Sequence, residues 1–196
     1  MADIAALHRQ ALDATGVVVG AVTADQWALP TPCSEWDVRA LLNHIVAGNW
    51  WAAELAAGAT IDGVGNRLDG DLLGGDPSDA YRRSADAAAA AFEAPGALAA
   101  PCAVSYGPVP GSVYAGHRFI DVLVHGWDLA TATGQEAVLD PGLAAACWEV
   151  VEPRLDLLAS SGMFGEGPTV RASDDESRRL LAALGRHPEP RRTGSS

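Results

Sequence analysis

The chain has 196 residues, 48% of them hydrophobic, which suits one globular domain with a sizeable core and leaves little room for a second large one. With 25 acidic side chains against 13 basic ones the formal charge is −12, so nucleic acid and an anionic membrane surface are repelled rather than recruited. Every basic side chain is Arg, and the absence of Lys removes Schiff-base and P-loop lysine chemistry.

Ile4, Leu7, Ala11, Val18, Val19 and Val22 recur at helical spacing and predict a first amphipathic helix over about residues 2–24, with His8 beside the stripe as a surface histidine. Pro30 and Pro32 lack amide donors and stop any helix through Leu29–Ser34, which is therefore a connection. Asp37 caps a second helix over about Val38–Ala57 that ends at Gly58 and carries His44 on its apolar side. Residues 58–76 hold six glycines and read as a long irregular crossover. Asp76 and Pro77 start a third helix that runs to about Phe92.

The stretch from Cys102 to Gly111 suits a short extended piece and a turn, although its prolines restrict pairing. A fourth helix covers Ser112–Thr133 and ends at Gly134, a residue suited to a left-handed cap. Asp140-Pro141 opens a fifth helix to about Leu158, Ser173-Asp-Asp-Glu-Ser opens a sixth that ends near Gly185, and His187–Ser196 read as a flexible tail. The expected architecture is an all-α bundle in a single domain over residues 1–186. No stretch approaches the roughly 20 apolar residues of a membrane span, and the first residues lack a basic, then apolar, leader, so the expected location is cytoplasmic. Cys33, Cys102 and Cys147 are odd in number and widely spaced, which argues for reduced, partly buried thiols.

The fourth helix carries the chemistry. His117, Asp121 and His125 follow at four-residue steps, each drifting only about 40° around the axis, so they draw a polar line on an otherwise apolar helix. A carboxylate and an imidazole one turn apart can share a divalent cation, and His44 is the natural third donor. Two nitrogens and one oxygen resemble catalytic zinc sites, which keep a position open. His117 could then serve as a further ligand or carry a proton, and Asp128 could orient a ligand histidine. Spacing alone leaves a second reading level with this one, a solvated face with Asp–His and Arg118–Asp121 pairs. Trp50 and Trp51 read as core or interface aromatics, with a pocket wall as the alternative.

The run Thr31-Pro-Cys-Ser-Glu-Trp-Asp-Val-Arg-Ala-Leu-Leu-Asn-His44, followed by Asp121-Val-Leu-Val-His125-Gly-Trp-Asp-Leu-Ala-Thr-Ala-Thr-Gly134, resembles the DinB-like superfamily. Within it the chain is most similar to the metal-binding bundle domain of mycothiol-dependent maleylpyruvate isomerases and their short relatives. The resemblance spans about residues 1–135 and, more loosely, Gly162–Gly165 and Leu180–Gly185. It implies a DinB-like four-helix bundle with a long crossover, extra C-terminal helices, and metal ligands at His44, Asp121 and His125.

The resemblance also implies a thiol-dependent transferase or isomerase, in which a divalent metal activates mycothiol towards a small-molecule electrophile. Zn²⁺ is the first expectation for such a donor set, with Ni²⁺, Co²⁺ or Fe²⁺ as alternatives. His117 is then the candidate catalytic proton carrier, and Arg82, Arg83 or Arg118 candidate anchors for a charged cofactor or substrate. The roughly 60 residues after Gly134 are too few and too differently patterned to supply the C-terminal domain of the isomerase. A metal-dependent hydrolase and a non-catalytic metal- or small-molecule-binding bundle remain alternatives, and a homodimer is compatible with the pattern.

Overall fold

Aspartate starts five of the described helices. In the computed structural model, which describes residues 3–156, 167–171 and 174–188, Asp3 caps α1 (Ile4–Gly20) and Asp37 caps α2 (Val38–Ala56). Asp76 caps α4 (Pro77–Glu93), Asp140 caps α6 (Pro141–Val151) and Asp175 caps α7 (Glu176–Ala183). In each case the carboxylate accepts from a first-turn amide that would otherwise lack a partner, worth about 1 kcal/mol per cap. The predicted caps at Asp37, Asp76 and Asp140 are thus in place, with Pro77 and Pro141 in the first turns.

Several boundaries differ from expectation. The first helix stops at Gly20 rather than near residue 24, because Thr23 bonds Gln26 and Asp25 and favours a local turn. The crossover is not wholly irregular, since Thr60 caps a single helical turn, α3 (Ile61–Val64). The fifth predicted helix, α6, gives way after Val151 to a tighter turn at Glu152–Arg154, where Pro153 cannot continue the α-helical hydrogen bonding. Its predicted end at Leu158, the Gly162–Gly165 stretch, Ser173 and tail residues 189–196 lie outside the described residues. The extended piece is realised as a hairpin of β1 (Pro101–Val104) and β2 (Gly107–Pro110), paired antiparallel with Pro101 opposite Pro110.

The described residues form two compact units, one ending at Val138 and the other beginning at Leu139. In the first, α5 (Gly111–Ala132) packs against α1 and α2, and α4 packs against the same two helices. The ring of neighbours is therefore α1, α4, α2, α5, a four-helix bundle as expected. In the second unit, α6 packs on α7, and the Arg179 guanidinium lies 4.3 Å from the centre of the Trp148 ring.

The bundle core is built from Leu41, Leu42, Ile45, Phe92, Phe119 and Leu129, all essentially inaccessible. Small residues let α1 and α5 approach closely, for a Cβ on Gly126 would lie 2.3 Å from Thr15 Oγ1, which itself donates to the Val122 carbonyl. Tyr81 ties α4 to α1 through a 2.7 Å bond to the Leu12 carbonyl.

His8 departs from the sequence expectation. It is fully buried, edge-on to Phe92 with ring centroids 5.2 Å apart, and neither ring nitrogen has a hydrogen-bond partner among the described residues. Burial, reinforced by the Arg118 charge, lowers its pKa to about 3. The unfolded chain therefore takes up a proton below about pH 6.5 that the folded chain refuses, so stability present at neutral pH is lost progressively as pH falls. Between pH 7 and pH 5 the wild type is expected to lose about 2 kcal/mol more than His8→Met. Urea unfolding of both proteins across that range checks it, and a stability difference independent of pH would contradict it.

Candidate metal centre

The entry to α2 is fixed before the site is built. Thr31 Oγ1 donates to the Trp36 carbonyl at 2.8 Å and accepts from the Cys33 amide at 3.1 Å, while Val38 N bonds the Leu29 carbonyl. This folds residues 29–37 back on themselves and sets Cys33 and Trp36 beside the helix that bears His44. On the other side, Asn43 bonds both the Gly70 carbonyl and the Leu72 amide, and Arg39 pairs with Asp71 at 2.8 Å. The long crossover is thus clipped to α2 one residue before His44.

His44 from α2 meets Asp121 and His125 from α5. The Nε2 atoms of His44 and His125 lie 3.3 and 3.6 Å from the same oxygen, Oδ1 of Asp121. The three donor atoms fall within 4.8 Å of one another. Side-chain exposure runs from 36% at His44 through 25% at Asp121 to 12% at His125, so one edge of the group is open to a small molecule and the other is enclosed. Trp36 stacks on His44 with ring centroids 4.6 Å apart and lies 5.9 Å from the His125 ring.

Charge around the group is strongly organised. Desolvation opposes the Asp121 carboxylate, yet the Arg118 guanidinium, together with His44 and His125, holds its pKa well below the usual carboxylate range. Arg118 Nη1 lies 2.9 Å from Oδ2 as a contact of charges rather than an aligned hydrogen bond. Burial likewise works against a charged His125, but hydrogen bonds to Asp128 and Cys33 and the Asp121 charge prevail and raise its pKa to about 9. Fully buried Asp128 accepts at Oδ2 from His125 Nδ1 at 2.9 Å, which leaves Nε2 turned towards Asp121.

Cys33 was legible only as a bland thiol. Its Sγ lies 3.4 Å from Asp128 Oδ2 and 3.8 Å from His125 Nδ1, so it completes a second cluster of possible ligand atoms on the far edge of the same imidazole. The sequence signal was there, in a Pro-Cys pair upstream of the histidine helix, but spacing could not connect residues so far apart. Trp36 is the aromatic that meets the histidines, whereas Trp51 packs against the core around Phe92. Cys102 and Cys147 are free and fully buried.

The other expected residues are dispersed. His117 stands one turn before Asp121 and joins neither ligand group; its Nδ1 meets the Tyr106 hydroxyl in the turn of the hairpin. Arg82 and Arg83 are exposed on α4, where Arg82 pairs with Asp79 and Asp86 and Arg83 with Asp79. Arg118 is buried in the bundle against Asp121 and Asn49.

A four-helix bundle with two histidines and a carboxylate converging from facing helices is the class of protein that fold and site define. The chain belongs to the mycothiol maleylpyruvate isomerase N-terminal domain family, whose model matches residues 8–130. That bears out the resemblance read from the two motifs. Two uncharacterized proteins of Mycobacterium tuberculosis, from strains CDC 1551 / Oshkosh and ATCC 25618 / H37Rv, are each 40% identical over 142 residues, covering 70% of this chain and 71% of theirs. No solved structure matches the chain. Among the described residues no helix is long and apolar enough to cross a membrane.

Proposed function

We propose that the chain binds one divalent cation through His44, Asp121 and His125 and uses it to present a low-molecular-weight thiol of the mycothiol type to a small electrophile. The observation that carries this reading is the approach of two imidazole Nε2 atoms to one carboxylate oxygen, with one edge of the group exposed. The donor set fits a cation: two imidazole nitrogens, that of His125 once the cation has displaced its proton, and one anionic oxygen suit Zn²⁺, and also Ni²⁺, Co²⁺ or Fe²⁺. The word mycothiol in the family's name supports the choice of thiol.

When bound, a divalent cation lowers the pKa of a thiol it coordinates and so supplies a nucleophile at neutral pH. The rest belongs to the protein. Asp128 holds the His125 ring by Nδ1, and Trp36 flanks both imidazoles and limits water on that side. His117 is one turn along the same face of α5, where its Nδ1 meets the Tyr106 hydroxyl, and its imidazole is the group offered to carry a proton to or from the electrophile. None of Cys33, Cys102 and Cys147 is in a disulfide, which suits a reducing, cytoplasmic setting.

Thermal unfolding in the presence of mycothiol tests the thiol step. The Zn²⁺-loaded protein is expected to gain several degrees with excess thiol, and the metal-free protein and His44→Ala none, since only a ligand that binds the native state shifts its midpoint. Equal shifts with and without metal, or none at all, would contradict the thiol reading and leave hydrolysis or simple metal storage in its place.

A further inference from the structure

Asp121 has two oxygens, and their surroundings are opposite. Oδ1 faces the Nε2 atoms of His44 and His125, while Oδ2 faces the Arg118 guanidinium at 2.9 Å. Arg118 is itself confined. Its side chain is 8% exposed, and Nη2 donates to Asn49 Oδ1 at 3.3 Å. Asn49 in turn donates to Ser84 Oγ, which donates to the Tyr81 carbonyl. The guanidinium also passes over α2 at Gly48: a Cβ there would lie 2.3 to 2.5 Å from Nη1, Cζ and Nη2. Side chains from α5, α2 and α4 and one missing Cβ thus define a single seat for this cation.

We propose that Arg118 is a positioning residue for the metal centre: seated over Gly48 and held by Asn49, it occupies the Oδ2 side of Asp121 and leaves Oδ1 alone to a bound cation. A divalent ion shared between both oxygens would stand against a guanidinium seated between Gly48 and Asn49, and like charges at that range repel strongly in a poorly hydrated interior. The carboxylate would thereby offer a single oxygen to a cation held with His44 and His125. Arg118, a candidate substrate anchor on sequence grounds, instead acts behind the ligand. This inference rests on the metal reading of His44, Asp121 and His125.

Co²⁺ titration of the purified full-length chain, followed by visible absorption, tests it, because band intensity and position report coordination number and geometry. Gly48→Ala keeps every charge but displaces the guanidinium. It is expected to bind Co²⁺ about 10- to 100-fold more weakly, the loss usual when an outer partner of a ligand is disturbed, with an altered spectrum. Arg118→Met is expected to alter the spectrum in the direction of higher coordination, and Arg118→Lys to restore it in part. Circular dichroism identifies variants that fail to fold; if Arg118→Met is among them, Gly48→Ala and Arg118→Lys decide the matter. Folded variants with the wild-type spectrum overturn the proposal, as does tighter binding with an unchanged spectrum, the signature of mere charge repulsion. A wild type that takes up no Co²⁺ would instead refute the metal reading, and this inference with it.

Discussion

Asp121→Ala is expected to destabilise the metal-free protein by about 3 kcal/mol, because it strands a buried guanidinium whose one anionic partner among the described residues is this carboxylate. Asn49 still accepts from Nη2, but a neutral amide oxygen does not compensate a full charge. The double variant Asp121→Ala, Arg118→Met removes both charges and is expected to recover most of that loss while remaining unable to hold a cation. Urea unfolding of the four proteins in a chelating buffer measures the coupling. A single variant within about 1 kcal/mol of wild type would mean that water, not Asp121, neutralises Arg118.

Gly126→Ala carries the next largest effect, about 2–3 kcal/mol. The new methyl would fall 2.3 Å from Thr15 Oγ1, and Thr15 cannot yield without surrendering its bond to the Val122 carbonyl, so overpacking and a lost hydrogen bond add. Gly126 also follows His125, so separating α1 from α5 here displaces a ligand. Thr15→Ala should be mild alone, since Val122 keeps its helical partner, and should relieve Gly126→Ala when combined with it. Additive losses in that cycle would show that the two helices do not meet as described.

The starts of α2, α4 and α6 were legible because each is written locally, in an aspartate three residues before the amide it accepts from. The polar line His117, Asp121, His125 was legible for the same reason, as a matter of helical period. His44 joined it from its place on the apolar side of α2 and then through the resemblance, although nothing in spacing says which face of α2 meets α5. What escaped the sequence was set by packing. His8 reads as a surface residue on a helical projection, yet the bundle closes over it beside Phe92. Arg118 reads as an exposed cation, and its burial depends on Gly48, 70 positions away, lacking a side chain. Cys33 and Trp36 reach the histidines because Thr31 turns their loop back, a tertiary effect that no periodicity encodes.

The most direct test of the account is the metal content of the purified protein after reconstitution with Zn²⁺ and dialysis, beside His44→Ala and His125→Ala variants shown to be folded by circular dichroism. About one metal per chain in the wild type, with affinity at least 100-fold lower in each variant, is the expected result, because each variant removes one of three converging donors. A wild type that stays metal-free, or folded variants that bind as tightly as it does, would contradict the assignment of these residues as a metal centre.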